Sequence, residues 1–278
     1  MKSLNESEQL NSLYVRELRL ISEPKWPNKN HIQVKFNDST PIPPVEHRRR
    51  IYGSVADIDA NANHFLNGGF QISTRIMNIY EAYSAKKMSR LRILDWGVGC
   101  GRLSRHFINS DSLDVQGVDV DPININWLHD NYPSQKNHLV DTNPLNLVLN
   151  EDKFDLIYSY SVMSHLHPRV GLPWLAAISN YCSDLMLIST HGFRNTFEYS
   201  WSEVSANMAL FLNRGYVGDE SQNHDIADVT PEKYYGDYGF SYSHIINEWS
   251  KVVDIVDIIP MGIGHHDLII CRPHEVRP

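Results

Sequence analysis

The apolar positions of the N-terminal third predict helices, and prolines between them predict irregular chain. Spaced leucines and a valine in residues 1–22 indicate a weakly amphipathic helix, whereas five prolines in residues 23–47 keep regular structure there short. Apolar side chains at helical spacing over residues 63–86 predict a second helix. We expect residues 1–88 to form an extension or lid in front of a separate domain.

A strand, a glycine-rich turn and a helix are predicted one after another at residues 92–107. The apolar strand ends in Ile93-Leu94-Asp95-Trp96, and glycines then occupy positions 97, 99 and 101. Leu103 and Phe107 follow with the spacing of one helix face. Glycine allows the positive φ angles of such a tight turn, and it lets a ligand lie against the backbone at the positive end of the helix. A plain glycine turn is the alternative interpretation.

A second strand, predicted at Leu113–Asp119, also ends in an acid. Asp119 lies one βαβ unit after Gly97, and a carboxylate at the end of the second strand suits the two hydroxyls of a ribose. Val120 beside it would cover a purine. Asp121 is a rival for the ribose, but it precedes Pro122 and could equally cap the helix that begins there.

The glycine spacing distinguishes two classes of nucleotide ligand. Enzymes that bind dinucleotides prefer G-x-G-x-x-G, whereas this chain has G-x-G-x-G followed by Arg102. Asp95 stands two residues before the first glycine, where a carboxylate would repel a pyrophosphate and attract an ammonium group. These residues therefore suggest a nucleoside that carries an amino acid.

The segment from Asp95 to Gly101 resembles motif I of the class I S-adenosylmethionine-dependent methyltransferases, D/E-x-G-x-G-x-G. Further segments follow in the order of that family. They resemble the acidic loop after the third strand, the fourth strand with its loop, and the last three strands, at residues 140–142, 154–166, 185–190, 252–257 and 267–272. The resemblance covers residues 90–190 well and residues 240–273 loosely.

This resemblance implies a Rossmann-like, doubly wound α/β fold with a mostly parallel seven-stranded sheet whose last strand is antiparallel. It places the methyltransferase domain at residues 89–278, after the N-terminal helical extension, with an inserted substrate cap at about 191–244. The cap is rich in aromatic residues, which fill an auxiliary core or line an acceptor pocket.

The resemblance also implies S-adenosylmethionine as the cofactor. The residues expected to bind it are Tyr52, Asp95, Trp96, Gly97, Gly99, Gly101, Asp119, Val120, Asp141 and Ser159. One arginine of the patch at residues 48–50 could join Tyr52 and pair with the carboxylate of the methionine part, since arginine suits that contact. A solvated charge run is the alternative for this patch.

Composition and charge narrow the range of partners. Lys and Arg number 25 against 33 Asp and Glu, for a net charge of −8, which argues against broad nucleic-acid binding. The N-terminus is too polar for a signal peptide, and no apolar run approaches the ~18 residues of a membrane span. Three widely spaced cysteines indicate neither a zinc site nor a disulfide framework, so we expect a cytoplasmic protein. We expect a small-molecule acceptor and leave a homodimer open.

Methyl transfer to a hydroxyl or to a protonated amine needs a base, and histidine titrates near the working pH. His165 follows the fourth strand, in the loop that borders the methyl group in similar enzymes, and His191 ends the fifth strand. Both are candidate catalytic residues, with a structural role as the alternative for His165 and a substrate contact for His191. His265 and His266 are further candidates, whereas His167 before Pro168 is interpreted as a cap or turn residue. His165-x-His167 lacks a third ligand at a recognisable spacing, so no metal site is predicted.

The expected activity is methyl transfer from S-adenosylmethionine to a small acceptor, preferably a hydroxyl oxygen of a sugar or natural product. This preference rests on a resemblance to bacterial methyltransferases in the proline-rich lead-in and the closing Gly-His-His-Asp-Leu-Ile-Ile. Nitrogen and carboxylate acceptors are alternatives. A nicotinamide-dependent oxidoreductase and a donor-binding subunit without catalysis are alternatives from other classes, and Asp95 with the glycine spacing argues against the oxidoreductase.

Overall fold

The computed structural model describes residues 34–59, 62–86, 90–149, 153–199, 204–219 and 226–274. The helix predicted in residues 1–22 lies outside these ranges. The described chain opens with irregular structure, as the prolines predict, and continues into helices α1 (Val45–Tyr52) and α2 (Val55–Ile58). A π-helical turn at His64–Gly68 then leads into α3 (Gly69–Tyr83), which confirms the helix predicted over residues 63–86.

Seven strands of the described chain form one central sheet. They are β1 (Leu91–Trp96), β2 (Leu113–Asp119), β3 (Lys136–Leu139), β4 (Phe154–Ser159), β5 (Cys182–Thr190), β8 (Val253–Ile263) and β9 (His266–Pro273). Their order is β3-β2-β1-β4-β5-β9-β8. The first five are parallel, and β9 runs antiparallel to both β5 and β8. The predicted fold class, including the reversed last strand, is confirmed.

Helices and a small hairpin complete the fold. Helix α4 (Pro122–Asn131) follows β2, α5 (Pro168–Ser179) follows β4, and α6 (Val204–Arg214) and α7 (Tyr242–Glu248) follow β5. Strands β6 (Tyr216–Asp219) and β7 (Asp237–Phe240) pair as a separate antiparallel ribbon within the predicted cap. The boundaries of the extension and of the cap stay predictions.

The sheet is buried on both faces, which explains the continuous apolar runs of its central strands. Successive residues of β1 point to opposite faces, so that Ile93 packs with Ile76 and Ile79 of α3 while Leu94 packs with Trp174 of α5. These two layers fix the helices against the strands and leave the carboxyl ends of the parallel strands free to carry a site.

The chain after the glycine turn differs from the helix that the spacing of Leu103 and Phe107 predicts. Both residues are buried as expected, but only a 3₁₀ turn forms, at Ser104–His106. Side chains from other segments bind the carbonyl groups that a helix would use: Ser73 Oγ donates to Leu103 O at 3.1 Å, and Asn37 Nδ2 donates to Arg105 O at 2.7 Å. This tertiary competition replaces the helical hydrogen bonds.

Strand β1 lies between β2 and β4, so the strand order reverses at its carboxyl end. In open α/β sheets, ligands bind in the crevice at such a switch point. The register pairs Asp95 of β1 with Gly117 of β2 and with Tyr158 of β4. The glycine turn, the end of β2 and the loops after β4 and β5 therefore meet at one edge.

The helices and the cysteines of the described chain bear on the expectations about membrane and compartment. None of its helices combines the length and the apolar composition needed to cross a membrane. Cys100, Cys182 and Cys271 are buried free thiols.

Candidate active site

The glycine turn after β1 has the backbone that its sequence predicts. Gly97 and Gly99 have φ angles of +81° and +52°, which side-chain-bearing residues rarely adopt. A Cβ on Gly99 would lie 2.5 Å from Ile51 Cγ2 of α1, and a Cβ on Gly97 would overlap Val162 in the loop after β4. The turn therefore requires glycine both for its conformation and because α1 and this loop press directly on it.

Asp119 holds the turn from the end of β2. Its Oδ2 accepts from the Gly99 N–H at 2.7 Å and its Oδ1 accepts from the Asp121 N–H at 2.9 Å. Burial raises the pKa of this carboxyl to about 6. Asp121, the rival for the ribose, accepts from Ile123 N at 3.0 Å as the cap of α4 and pairs with Arg50 at 2.6 Å. Asp121 thus caps α4 and pairs with Arg50, whereas Asp119 holds the glycine turn and has no cationic partner among the described ion pairs.

A first cavity, here called the donor cavity, lies over the glycine turn. It is lined by Arg50, Ile51, Trp96, Gly97, Gly99, Asp119, Val120, Asp121, Asn124, Val140, Tyr160, Ser161, Val162, Leu166, Trp174, Ile226, Tyr234 and Tyr235. Acidic Asp119 and apolar Val120 stand together at one end, as a ribose beside a purine would require. The cavity volume is about 110 Å³, below the ~300–1,000 Å³ typical of ligand pockets. Ile51 of α1 packs on the turn at Gly99 and forms part of the wall of this small cavity.

Five of the ten residues predicted to bind the donor do not line this cavity. Tyr52 and Asp95 line a second cavity beside it, and Gly101, Asp141 and Ser159 line neither. Asp141 is exposed and accepts from Asn143 N at 2.7 Å and from Asn146 Nδ2 at 3.1 Å within its own loop. Ser159 is buried at the end of β4. Val140, next to Asp141, does reach the cavity, so the loop after β3 contributes an apolar residue rather than its acid.

The arginine patch on α1 is already paired with aspartates. Arg48 contacts Asp59, Arg49 contacts Asp57, and Arg50 contacts both Asp121 and Asp228. Each arginine therefore already has an aspartate partner, and it would have to leave that partner to make the predicted contact with the methionine carboxylate. Tyr52 donates to Asp59 Oδ2 at 3.2 Å and lines a second cavity beside the first.

This second cavity, here called the acceptor cavity, has a volume of about 650 Å³. It shares Ile51, Gly97, Tyr160, Ser161 and Tyr235 with the donor cavity, so the two meet at the glycine turn and the loop after β4. Five histidines line it: His64, His165, His191, His265 and His266.

Asp95 lines the acceptor cavity at the start of the glycine turn. Its side chain is buried, and its Oδ2 accepts from the Tyr158 hydroxyl at 2.7 Å. Burial raises the pKa of this carboxyl to about 8, so at neutral pH it holds a proton in the absence of a cation. An ammonium group in front of it would favour the ionised form.

His165 is held from both ring nitrogens. Its Nδ1 lies 2.9 Å from Asp237 Oδ1 and 3.0 Å from Gly236 O, and its Nε2 lies 3.1 Å from Ser161 Oγ. Because both partners of Nδ1 are acceptors, Nδ1 carries the proton in the neutral ring, and the Nε2 lone pair accepts from the Ser161 hydroxyl. Burial alone would raise the pKa of Asp237, but its hydrogen bond to His165 brings the pKa below the usual value.

The segment that carries Asp237 is fixed to the loop that carries His165. Gly236 N donates to His165 O at 2.8 Å, and Tyr238 N donates to Ser164 O at 2.7 Å. The Tyr235 ring stacks on the His165 ring with centroids 5.0 Å apart. The cap therefore builds one wall of the site and orients its imidazole.

His191, the second catalytic candidate, has a different environment. Its Nε2 lies 3.1 Å from His266 Nε2, so one ring donates and the other accepts. Burial, with the charge of His165 as a further cause, lowers the pKa of His191 to about 3. Such a weak base is poorly matched to proton abstraction near neutral pH, and we assign His191 to hydrogen bonding.

His167, the other histidine of the pair considered for a metal, lies at the start of α5. His167 Nδ1 accepts from Arg169 N at 3.1 Å, so it caps α5 as its position before Pro168 predicts. Across the described ranges, no group of three or more His, Cys, Asp or Glu side chains is arranged to hold a metal ion.

Sequence reasoning missed Asp237 and Arg102, which both line the acceptor cavity. Asp237 lies 72 residues after His165, and a hydrophobic pattern carries no signal for such a pair. Arg102 directly follows the last glycine of the turn and could have been noted for that position alone.

Comparison with known protein families gives a match over part of the chain. Residues 93–183 match a protein family described as "Methyltransferase domain". No curated protein matches the chain in sequence.

Three solved structures show the same fold. The PH0226 protein from Pyrococcus horikoshii OT3 has a TM-score of 0.53 at 15% identity, over 81% of this chain and 98% of that chain. DesVI from Streptomyces venezuelae has a TM-score of 0.52 at 13% identity, over 78% and 98%. The 1,6-didemethyltoxoflavin-N1-methyltransferase from Burkholderia thailandensis, solved with 1,6-didemethyltoxoflavin and S-adenosylhomocysteine, has a TM-score of 0.50 at 15% identity, over 91% and 99%.

Proposed function

We propose that this chain, a class I S-adenosylmethionine-dependent methyltransferase, methylates a hydroxyl oxygen of a small molecule with His165 as the base. The family match over residues 93–183 and the seven-stranded fold confirm the resemblance first indicated by residues 95–101. The acceptor atom and the roles of individual residues are the proposal.

The described residues fit the donor. A glycine turn that excludes side chains lies under the cavity, Asp119 offers its carboxylate to a ribose, and Val120 and Val140 offer apolar cover to an adenine. Asp95 stands where the ammonium group of an amino acid would be stabilised by an ionised carboxylate. When bound, S-adenosylmethionine supplies an electrophilic methyl group.

The observation that carries the proposal is the placement of His165 Nε2. This lone pair points at Ser161 Oγ, 3.1 Å away, and Ser161 lines both cavities. The serine hydroxyl therefore occupies the kind of position that an acceptor hydroxyl would take, within hydrogen-bond reach of the base and beside the donor cavity.

The role of each residue follows from this geometry. An acceptor hydroxyl that replaces Ser161 at Nε2 donates its hydrogen bond to His165, which takes the proton as the oxygen becomes nucleophilic. Asp237 holds the Nδ1 proton and stabilises the charged imidazolium that results. Tyr235 stacks on the ring and limits its rotation. Alignment by the walls of the two cavities contributes as well, because a displacement depends on the approach of the acceptor.

The test is methylation of a panel of small hydroxylated compounds, followed by mass spectrometry. Wild-type protein should add one methyl group to at least one compound. His165→Ala should lower turnover by ~10²–10⁴ with donor affinity unchanged. His191→Ala is the matched control, and it should affect the KM of the acceptor more than turnover. Normal turnover by His165→Ala together with loss by His191→Ala would exchange the two roles.

The expected location, the type of acceptor and the oligomeric state of the protein stay predictions. A cytoplasmic location is compatible with the three buried free thiols. The negative net charge supports a small-molecule acceptor over nucleic acid. A homodimer is testable by the mass of the protein in solution.

A further inference from the structure

Arg102 brings a guanidinium cation into the lining of the acceptor cavity. Its guanidinium carbon lies 5.5 Å from the centroid of the Tyr52 ring and 5.9 Å from that of the Tyr160 ring. Its Nη2 lies 3.4 Å from His64 Nε2. Because a guanidinium nitrogen only donates, His64 Nε2 must be the acceptor, and the His64 ring is neutral.

The charge of Arg102 is not compensated within the described residues. None of the ion pairs found there involves it, and its Nε is buried without a hydrogen-bond partner. The two carboxyl groups that line this cavity are engaged elsewhere, Asp237 with His165 and Asp95 with the hydroxyl of Tyr158. A half-buried cation without a counter-charge attracts an anion, so the site is suited to an anionic ligand group.

Neighbouring side chains add neutral donors beside Arg102. Burial lowers the pKa of His64 and of His265, and the charge of Arg102 lowers both further. Neutral imidazoles can donate an N–H without adding to the positive charge. Arginine presents a rigid fork that matches a carboxylate or a phosphate bidentately, and the flanking tyrosine rings restrict its position.

We infer that the acceptor carries a carboxylate or phosphate group, which Arg102 binds while the acceptor hydroxyl faces His165. This inference rests on the proposed function, since it names the acceptor class of the same site. Arg102 lines the acceptor cavity together with Asp95, which we assign to the ammonium group of the donor, so the carboxylate of the donor is the competing ligand for Arg102. Tyr160 lines both cavities and stacks on His266, with ring centroids 5.0 Å apart.

The test uses inorganic phosphate as the probe and needs no turnover. Protein saturated with S-adenosylhomocysteine is titrated with phosphate, and binding is followed by the ³¹P linewidth. The wild type should bind phosphate, Arg102→Gln should weaken binding at least tenfold, and Arg102→Lys should fall between them. Arg169→Gln is the matched control, because it removes the same charge from an exposed position on α5. Affinity for S-adenosylhomocysteine should stay within about twofold in every variant, which also shows that the variants are folded.

Three results would overturn the inference. The first is a wild-type complex that binds no phosphate, and the second is equal phosphate binding by Arg102→Gln. The third is a tenfold loss of S-adenosylhomocysteine affinity in Arg102→Gln with unchanged affinity for methylthioadenosine, which lacks the amino acid; Arg102 would then bind the donor carboxylate. If the wild type fails to bind S-adenosylhomocysteine, the proposed function falls, and the same titration without it still decides the phosphate site.

Discussion

Asp237 Oδ1 lies 2.9 Å from His165 Nδ1, which joins the loop after β4 to the ribbon of the cap. The contact selects the tautomer whose Nε2 lone pair faces the acceptor cavity. Asp237→Asn keeps the size of the side chain but can present an amide donor to Nδ1. We expect turnover to fall at least tenfold while donor affinity stays unchanged.

The pH profile separates this orienting role from a structural one. Since the pKa of Asp237 lies below its usual value, the carboxylate stays ionised across the range in which histidine titrates. With donor and acceptor both saturating, wild-type turnover should therefore fall on the acid side, where a protonated imidazole cannot accept a proton. An Asp237→Asn variant with wild-type turnover and an identical pH profile would show that the contact is merely structural.

Asp119 and Asp121 should respond differently to removal of their carboxylates. Asp119→Ala removes charge-assisted hydrogen bonds worth roughly 1.5–3 kcal/mol each before water compensates, so donor affinity should fall about tenfold or more. Asp121→Ala removes both the cap of α4 and the buried partner of Arg50, so it should lower the free energy of unfolding by at least about 1 kcal/mol, with a much smaller effect on donor affinity. Calorimetry with S-adenosylhomocysteine and thermal unfolding check both. The opposite order of affinities would assign the ribose to Asp121.

Asp95 should release a proton when the donor binds. Its pKa of about 8 lies above that of an unfolded aspartate, so the free protein keeps this proton at pH 7 and loses it as pH rises through 8. The donor ammonium favours the ionised form, and binding at pH 7 should expel the proton. Calorimetry in buffers of different ionisation enthalpy measures the release, which should vanish well above pH 8 and in Asp95→Asn. Equal release by Asp95→Asn would assign the proton to another group.

Arg50 should control access to the donor cavity. It joins α1 to Asp121 at 2.6 Å and to Asp228 of the cap at 2.9 Å, and the neighbouring Ile51 forms part of the wall of the cavity at Gly99. Arg50→Gln should speed both association and dissociation of S-adenosylhomocysteine several-fold. Trp96 and Trp174 line the cavity, so stopped-flow tryptophan fluorescence can follow these rates.

Arg49→Gln is the control for this experiment, because Arg49 pairs with Asp57 on the exposed side of the same region. Its rates should equal those of the wild type. Added salt screens the half-exposed contact to Asp228 and should bring the wild type closer to Arg50→Gln. If Arg50→Gln leaves both rates unchanged, α1 opens by another route.

Local sequence patterns predicted the parts of this fold that local physics determines. The tight turn at Gly97 and Gly99 was predictable because glycine readily adopts the positive φ angles that the turn requires. Strand β2 ends at Asp119, as the pattern indicates. The choice between Asp119 and Asp121 remained open because a carboxylate before Pro122 is suited to either role.

Tertiary contacts determined what the patterns could not predict. The partner of His165 lies in the cap, and the arginines of α1 pair with aspartates up to 178 residues away. The helix predicted after the glycine turn is replaced by a 3₁₀ turn because Ser73 and Asn37 bind its carbonyl groups. Arg102 becomes a candidate binding residue only once the folded cavity shows no counter-charge for it among the described side chains.

The chemical position of the transferred methyl group tests the central claim most directly. Protein is incubated with ¹³C-methyl S-adenosylmethionine and small hydroxylated acids or phosphates, and the product is examined by ¹³C NMR and then treated with alkali. We predict the shift of an O-methyl ether, label that resists alkali, and a rate at least 10² lower for His165→Ala. Label released as methanol would indicate a methyl ester, and an N-methyl shift would indicate an amine acceptor; either result would contradict His165-assisted methylation of a hydroxyl.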